Sequence, residues 1–445
     1  HFSLLSVAPD GEVKRLPRTG ILASVYNNSA GLSTGFLKKG EFFPMTSFYP
    51  DLWSRLQSER RDVVLYGMGD GADKILRICA RKGIPVRDVF ASDAFVRGQL
   101  FHGRRVLRWA EVRERYPAEN LTVLLAFASS RPEVLQNIRA IAAEAPVYVP
   151  DVPVCGSGLF DAAFVQEHRE ELDAARALLC DGESRRIFDL MLRCRLTGEL
   201  APLLEARSDP AAAMRELIRP DGLRATADLG AYTGDTVREL LDAGARPEVI
   251  YAMEPDAHSF RRLAAYAAQE TRTRVLPVHA VAWDREETLC FAANGSRGAA
   301  VGAFGAADAD NPAFTGNAGA DRPFGAVNAM DTDGRIDMPK AGGTPASNGS
   351  HNTGLPKGAN GARCAPLTDA LLLQETAGRQ RSIKTVSIPA LPLDALLEDR
   401  PVDYIKYDVE GAEAQALAGS EASIRQSLPT LLVSLYHRSE DLFAL

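Results

Sequence analysis

No apolar run in the chain approaches the ~20 residues a bilayer-spanning helix needs, so no membrane span is predicted. Cysteine is sparse and scattered: Cys79, Cys155, Cys180, Cys194, Cys290 and Cys364 make no CxxC pair and have no histidine ligands nearby. That pattern excludes a disulfide frame or zinc knuckle and fits reduced thiols of a cytoplasmic protein. Excess basic charge is missing too. With 51 Lys and Arg against 58 Asp and Glu the net charge is −7, and non-specific nucleic-acid binding, which needs a basic surface, is not expected. The opening HFSLLSVAPDG has neither an initiator Met nor the basic-then-apolar order of a secretory signal, so it is expected to be a trimmed start without a signal peptide. What is present is ordinary for a globular protein: 445 residues, 46% hydrophobic and 24% charged. That length allows two or three domains of roughly 150 residues each.

Residues 1–60 show turn signals without a clear period and are expected to be an N-terminal extension. Apolar strands at 62–66, 86–91, 121–126 and 147–149 then alternate with helices at 72–82 and 132–144, which predicts a parallel sheet in a domain spanning 61–155. In a bridge spanning 156–222 the apolar residues recur every three or four positions, with Asp181 as the cap of a helix beginning near Glu183. A second α/β domain follows at 223–445. Its strands are expected at 225–230, 249–254 and 275–283 (with a hairpin partner at 288–292), then at 385–388, 404–408 and 430–436. Its helices are expected at 236–243, 257–269, 393–397 and 414–424. Residues 297–380 are rich in Gly, Ala, Asn and Asp and hold too few large apolar side chains to offset ordering entropy. They are predicted to be a disordered or mobile insertion, with ALLLQET at 370–376 its one helix candidate. The fold class is α/β: two Rossmann-like, doubly wound parallel-sheet domains joined by a helical bridge.

Two glycine turns invite comparison. Gly67-Met68-Gly69-Asp70-Gly71-Ala72 fits GxGxx(G/A) between a strand and a helix, and Asp93 ends the next strand about twenty residues on. It either binds a nucleotide or nucleotide sugar or packs helix on strand, and no hydride-transfer partner for an NAD enzyme is recognisable downstream. The second turn, ADLGAYTGDT, holds Asp228, Gly230, Tyr232 and Gly234. Its glycines would let backbone approach a ligand, while its acid would repel a diphosphate and suit a cationic, amino-acid-bearing one. In YAMEPD, Glu254 ends the following strand, ahead of Pro255 and Asp256, where it can accept both hydroxyls of a ribose. S-adenosylmethionine satisfies both features.

In VDYIKYDVEGAEAQAL, strand alternation puts Ile405 and Tyr407 on one face and Lys406 and Asp408 on the other. Asp408, Glu410 and Glu413 then crowd the carboxyl edge of the sheet, where open α/β sheets bind ligands. Three carboxylates so close repel one another unless a cation, a proton or substrate hydroxyls intervene. The stretch PTLLVSLYH brings His437 to the same edge, placed to take a proton near neutral pH, although a lone histidine there could equally be a cap. The spacing specifies no metal site, and none is predicted.

In this order, ADLGAYTGDT, EPD, VDYIKYDVEGAEAQAL and PTLLVSLYH resemble the FkbM family of S-adenosylmethionine-dependent methyltransferases. Its K-x-D-x-E-G-x-E segment is met by Lys406, Asp408, Glu410, Gly411 and Glu413. The resemblance covers 224–296 and 383–442, and DGESRRIF together with the leading unit is similar to a longer subgroup. It implies a class I methyltransferase fold and methyl transfer, usually to oxygen, on a sugar, glycan or secondary metabolite, with S-adenosylhomocysteine as product. It also implies that Asp228, Gly230 and Gly234, with Tyr232 between them, flank the methionine part. Glu254, followed by Pro255, would hold the ribose, and Asp256, Ala280 and Val281 would lie near the adenine. Asp408 and His437 are expected to orient or deprotonate the acceptor hydroxyl, and Glu410 and Glu413 to bind sugar hydroxyls or a cation. Partners are then a small-molecule or glycan acceptor; a homodimer is compatible and not specified. The family continues past the point matching Leu445, so its sixth and seventh strands are expected to be missing. The alternative expectation is a non-catalytic nucleotide-binding or nucleotide-sugar-binding scaffold using the Gly67 loop.

Overall fold

Asp51 starts the first α/β unit by capping a helix: its Oδ1 accepts from the amides of Trp53 (3.0 Å) and Ser54 (3.1 Å) and opens α1, Leu52–Glu59. Leu52, Trp53 and Leu56 of α1 pack into the core beneath the sheet, so this helix, inside the stretch expected to be an extension, belongs to the folded unit. The computed structural model describes residues 50–129, 131–156, 158–292, 367 and 385–445, all within one compact unit. The insertion expected at 297–380, with its helix at 370–376, lies outside the described residues apart from Leu367, which is buried against the same core.

The first unit continues through β1 (Asp62–Tyr66), α2 (Asp70–Arg81), β2 (Val86–Phe90), a small hairpin of β3 (Leu100–Phe101) and β4 (Arg104–Arg105), α3 (Trp109–Arg115), β5 (Leu121–Leu125), α4 (Pro132–Ala142) and β6 (Val147–Tyr148). Its sheet runs β2-β1-β5-β6, all parallel. Helices cover both faces, and for that reason β1 is continuously apolar: Val63 and Leu65 enter one core, Val64 and Tyr66 the other. The bridge follows as α5 (Ala162–Glu167), α6 (Arg169–Leu178), α7 (Gly182–Thr197), α8 (Leu200–Glu205) and α9 (Pro210–Ala213). Asp181 caps α7 as expected, its Oδ1 accepting from Ser184 N at 2.7 Å.

The second unit has β7 (Ala225–Leu229), α10 (Asp235–Asp242), β8 (Val249–Met253), α11 (Ala257–Gln269), β9 (Arg274–Val278), β10 (Val281–Ala282), β11 (Glu287–Ala292), β12 (Thr385–Leu391), α12 (Leu393–Leu397), β13 (Tyr404–Tyr407), α13 (Glu413–Ala418), α14 (Glu421–Ser427), β14 (Thr430–Val433) and α15 (Asp441–Ala444). Its main sheet is parallel throughout in the order β14-β13-β7-β8-β9. Succession runs outward from β7 through β8 to β9, then jumps back to β13 on the other side of β7. The carboxyl ends of β7 and β13 therefore meet at the topological switch point, where such sheets open a crevice.

Two details depart from expectation. The strand expected across 275–283 ends at Val278, where the Ala280 amide turns back onto the Val278 carbonyl (3.1 Å) and takes the chain out of the main sheet. Residues 281–282 instead join β12, and Glu287–Ala292 pairs antiparallel with β12 instead of folding back on 275–283, giving a separate sheet β10-β12-β11. The single helix expected at 414–424 is divided at Gly419, where a Cβ would stand 1.9 Å from the Trp283 carbonyl.

Candidate active site

Strand alternation sorts the switch point as the sequence suggests. Ile405 and Tyr407 are buried in the core under the sheet, while Lys406 turns to the face it shares with Asp228 on the adjacent strand. The Lys406 ammonium, itself buried, lies 3.1 Å from Asp228 Oδ1, 3.6 Å from Asp408 Oδ2 and 3.4 Å from the Gly230 carbonyl. Burial disfavours its charge, but Asp228 and Asp408 outweigh that and hold its titration above the ordinary lysine value. The other Asp228 oxygen accepts from the Thr236 hydroxyl. Asp228, expected to face a cationic ligand, thus has both oxygens engaged within the protein and its charge balanced by Lys406.

The glycines of this turn have a packing cause. A Cβ on Gly230 would stand 1.9 Å from the Asp408 carbonyl, and one on Gly234 2.5 Å from the Tyr266 ring. Both have positive φ (85° and 80°), and Tyr232 between them sits at φ 50°. The strained turn aims the Tyr232 amide at Glu254 Oε2 (2.8 Å), while the Asp256 amide meets Oε1 (2.8 Å). Glu254 is buried, and desolvation pushes its carboxyl up to about 7 in spite of these two donors. Each oxygen keeps a lone pair for a further donor. Asp256 caps α11, taking the amides of His258 (3.0 Å) and Ser259 (2.9 Å), with Pro255 in the turn between the two acids. Ala280 and Val281 are buried where the chain leaves the sheet. His279, not singled out in the sequence, stacks on Phe260 (centroids 4.5 Å) with Nε2 3.1 Å from the Pro255 carbonyl.

Beyond β13 the acids separate by environment. Asp408 Oδ1 accepts from the Ser434 and Tyr436 hydroxyls, each at 2.8 Å. Burial opposes its charge, yet Lys406, these hydroxyls and His437 keep the carboxyl below its usual range. Glu410, in a left-handed conformation at φ 53°, has no such donors among the described residues; burial, with Asp408 and Glu413 nearby, pushes it up to about 7 against the relief given by His437. Glu413 is buried and closes the turn, its oxygens accepting from Val409 N (2.9 Å) and Gly411 N (3.0 Å). Its Oε1 also stands 2.8 Å from His437 Nδ1, an ion-pair contact off a hydrogen-bonding line. His437 Nε2 lies 3.6 Å from both Asp408 Oδ1 and Glu410 Oε2. Burial works against a charge on His437, but Glu413, Glu410 and Asp408 raise its titration above the ordinary imidazole value. The residues expected to meet the acceptor thus differ in access: the Glu410 side chain is 26% exposed and that of Asp408 15%, while His437 is at 0% and Glu413 at 1%.

Glu413, His437 and Asp441 bring ligand atoms within 4.8 Å of one another. Both Glu413 oxygens and one of Asp441 already take backbone N–H groups, which makes the cluster an internal ion pair with its caps. Sequence reasoning did not single out Tyr436 and Ser434; both stand beside His437 on the strand end that sequence did pick, and their hydroxyls were the available signal.

The other glycine turn differs in kind. Gly67 and Gly71 are required by packing, against the Phe127 ring (2.6 Å) and the Ala126 carbonyl (2.5 Å), and Asp70 and Asp73 put negative charge into the first turn of α2. Only Gly69 faces open space. Asp70 is paired there with Lys74 (3.0 Å), and Asp73 meets His102 Nε2 (2.6 Å).

A doubly wound parallel sheet with acids ending neighbouring strands around its switch point has the crevice in which open α/β sheets bind ligands. Residues 228–444 match the methyltransferase FkbM domain model, and this part of the chain is a methyltransferase domain of the FkbM family. Among solved structures, that of methyltransferase FkbM from Methylobacillus flagellatus KT is similar at 16% identity and a TM-score of 0.49, over 87% of this chain and 84% of that one. No curated protein sequence matches. Among the described residues no helix is long and apolar enough to cross a membrane.

Proposed function

We propose that the protein transfers the methyl group of S-adenosylmethionine to a hydroxyl of a sugar, glycan or secondary metabolite. The observation that carries this reading is Glu254: a buried carboxyl at the end of β8, fixed by two amides and carrying a spare lone pair on each oxygen. Such a group suits the paired hydroxyls of a ribose. The residues fit a cationic donor on a second count. Asp408, Glu410 and Glu254 bring carboxyls to the strand ends near Lys406 and His437, and burial pushes those of Glu254 and Glu410 up to about 7.

When bound, the donor supplies an electrophilic methyl group on sulfur, so the protein needs only to align the acceptor and remove a proton. Glu410 is the proton acceptor in this scheme. It reaches solvent, and a carboxyl titrating near 7 matches the operating range of a general base. Asp408, kept ionised and locked by Ser434 and Tyr436, receives a hydrogen bond from the acceptor and orients it. His437 has no exposed surface, which favours a supporting role: backed by Glu413, it balances the charge left on Asp408 and Glu410. As the acceptor oxygen is methylated, Glu410 would take the proton that this hydroxyl loses.

The test is thermal denaturation of the full chain with S-adenosylhomocysteine, a nucleotide sugar or NAD, since a ligand of the native state raises its melting temperature. Stabilisation by S-adenosylhomocysteine, lost in Glu254→Ala, is expected. Stabilisation by NAD or the nucleotide sugar alone overturns the reading.

A further inference from the structure

The segment 151–156, DVPVCG, leaves the first α/β unit and reaches the loops at the carboxyl edge of the methyltransferase sheet. There it grips both loops that carry the acids. The Cys155 amide donates to the His437 carbonyl (2.9 Å), and the Cys155 thiol donates to the Glu410 carbonyl (2.8 Å). Gly411 has no room for a side chain because Cys155 Sγ would lie 2.9 Å from its Cβ. On the near side Lys74 of α2 donates to the Val154 carbonyl at 3.0 Å. On the far side Arg438 Nε holds the Gly411 carbonyl (3.1 Å), Ser439 Oγ holds the Gly158 carbonyl (2.9 Å), and buried Arg195 of α7 joins Asp151 (3.0 Å) to the Arg438 carbonyl (3.3 Å).

We propose that this strap, anchored by Cys155 and Lys74, is a positioning device through which the first α/β unit holds the Glu410 turn in its working shape. The need for one is visible in the backbone. Glu410 occupies the left-handed region at φ 53°, a conformation strained for a non-glycine residue that persists only where neighbours impose it. Glu413 fixes the amides of that turn and Cys155 fixes its carbonyl. The thiol stays protonated for the task, since burial, with Glu410 beside it, pushes it up to about 11. The strap also carries charge to the site. Around Glu410 stand Asp408, Glu413 and His437 of its own domain, Cys155 of the strap with Arg438 beyond it, and Lys74 of α2. The positive charge of Lys74 favours the ionised carboxylate, and Asp70, 3.0 Å from it, offsets part of that. The first unit thereby has a part in methyl transfer.

The inference rests on Glu410 serving as the base, and its test is chosen to read the strap apart from that role. Hydrogen–deuterium exchange of the full-length protein follows the amides of 409–413 in wild type, Cys155→Val and Cys155→Ser. Valine fills the space without a donor, whereas serine keeps one. Exchange is expected to be roughly tenfold faster in the valine variant and within about threefold of wild type in the serine variant. Unchanged exchange in Cys155→Val, or equally fast exchange in Cys155→Ser, overturns the proposal. Carbon NMR of labelled Glu410 in Lys74→Met is expected to show its midpoint moving to higher pH, and a midpoint that stays or falls overturns the part assigned to Lys74. If wild type fails to bind S-adenosylhomocysteine in calorimetry, the methyltransferase reading fails, while the exchange experiment still decides the strap.

Discussion

Three carboxyls that look alike in DVEGAE come apart once their neighbours are named. Asp408 is held ionised by Lys406 and two hydroxyls, Glu410 is left near neutrality, and Glu413 is spent on the backbone of its own turn. Asp408→Asn is therefore expected to lower methyl transfer by about 100-fold or more while S-adenosylhomocysteine affinity stays within about threefold, as calorimetry checks. Glu254→Ala is expected to do the reverse, weakening the donor by 10- to 100-fold, about 1.4–2.8 kcal/mol. The pH dependence follows from Glu410. Its folded titration near 7 lies above the ordinary glutamate value of 4.5, so it favours the folded state below about 4.5, and that contribution is lost as pH rises through 7. Glu410→Gln is thus expected to match wild type in stability near pH 4.5 and exceed it at pH 8, by on the order of 2 kcal/mol in denaturant melts, while losing the rise in activity through pH 7. A wild type more stable than the variant at pH 8 contradicts the assignment.

At the scale of elements, the alternation of strands and helices was legible because both sheets are parallel and covered on both faces. β1, β7 and β13 read as nearly unbroken apolar runs, interrupted at Asp228 and Lys406, and those interruptions mark the site. The sheet membership of 281–292 and 385–391 was not legible. A strand's periodicity states which residues share a face and says nothing of which strand lies beside it. The need for glycine at 419 was hidden for a related reason, since it comes from the carbonyl of Trp283, distant in sequence. The glycines of ADLGAYTG were legible as a turn, but their cause is protein packing more than ligand approach. Gly230→Ala is accordingly expected to destabilise the fold by about 3 kcal/mol or more, from a Cβ 1.9 Å from the Asp408 carbonyl at a positive φ. A melting temperature within a degree or two of wild type would show that the β7–β13 contact yields easily.

Over the whole molecule, one parallel sheet carries the methyltransferase face, and the first α/β unit reaches that face through the 151–156 strap. The acids at the strand ends were readable because their spacing is local. Lys406 neutralising Asp228, the concealment of His437 and the grip of Cys155 depend on residues brought together by the fold, across sequence gaps that no spacing rule spans. The balance of charge also shifts the weight of the donor site. With Asp228 satisfied internally, the proposed scheme rests recognition of the nucleoside on Glu254 and the cation complement on the acids around the switch point. The most direct measurement is a crystal structure of the full chain with S-adenosylhomocysteine. The account expects the ribose hydroxyls within hydrogen-bonding reach of Glu254 and the sulfur directed toward Asp408 and Glu410. A nucleoside bound at the Gly67 turn, or a ribose turned away from Glu254, would contradict it.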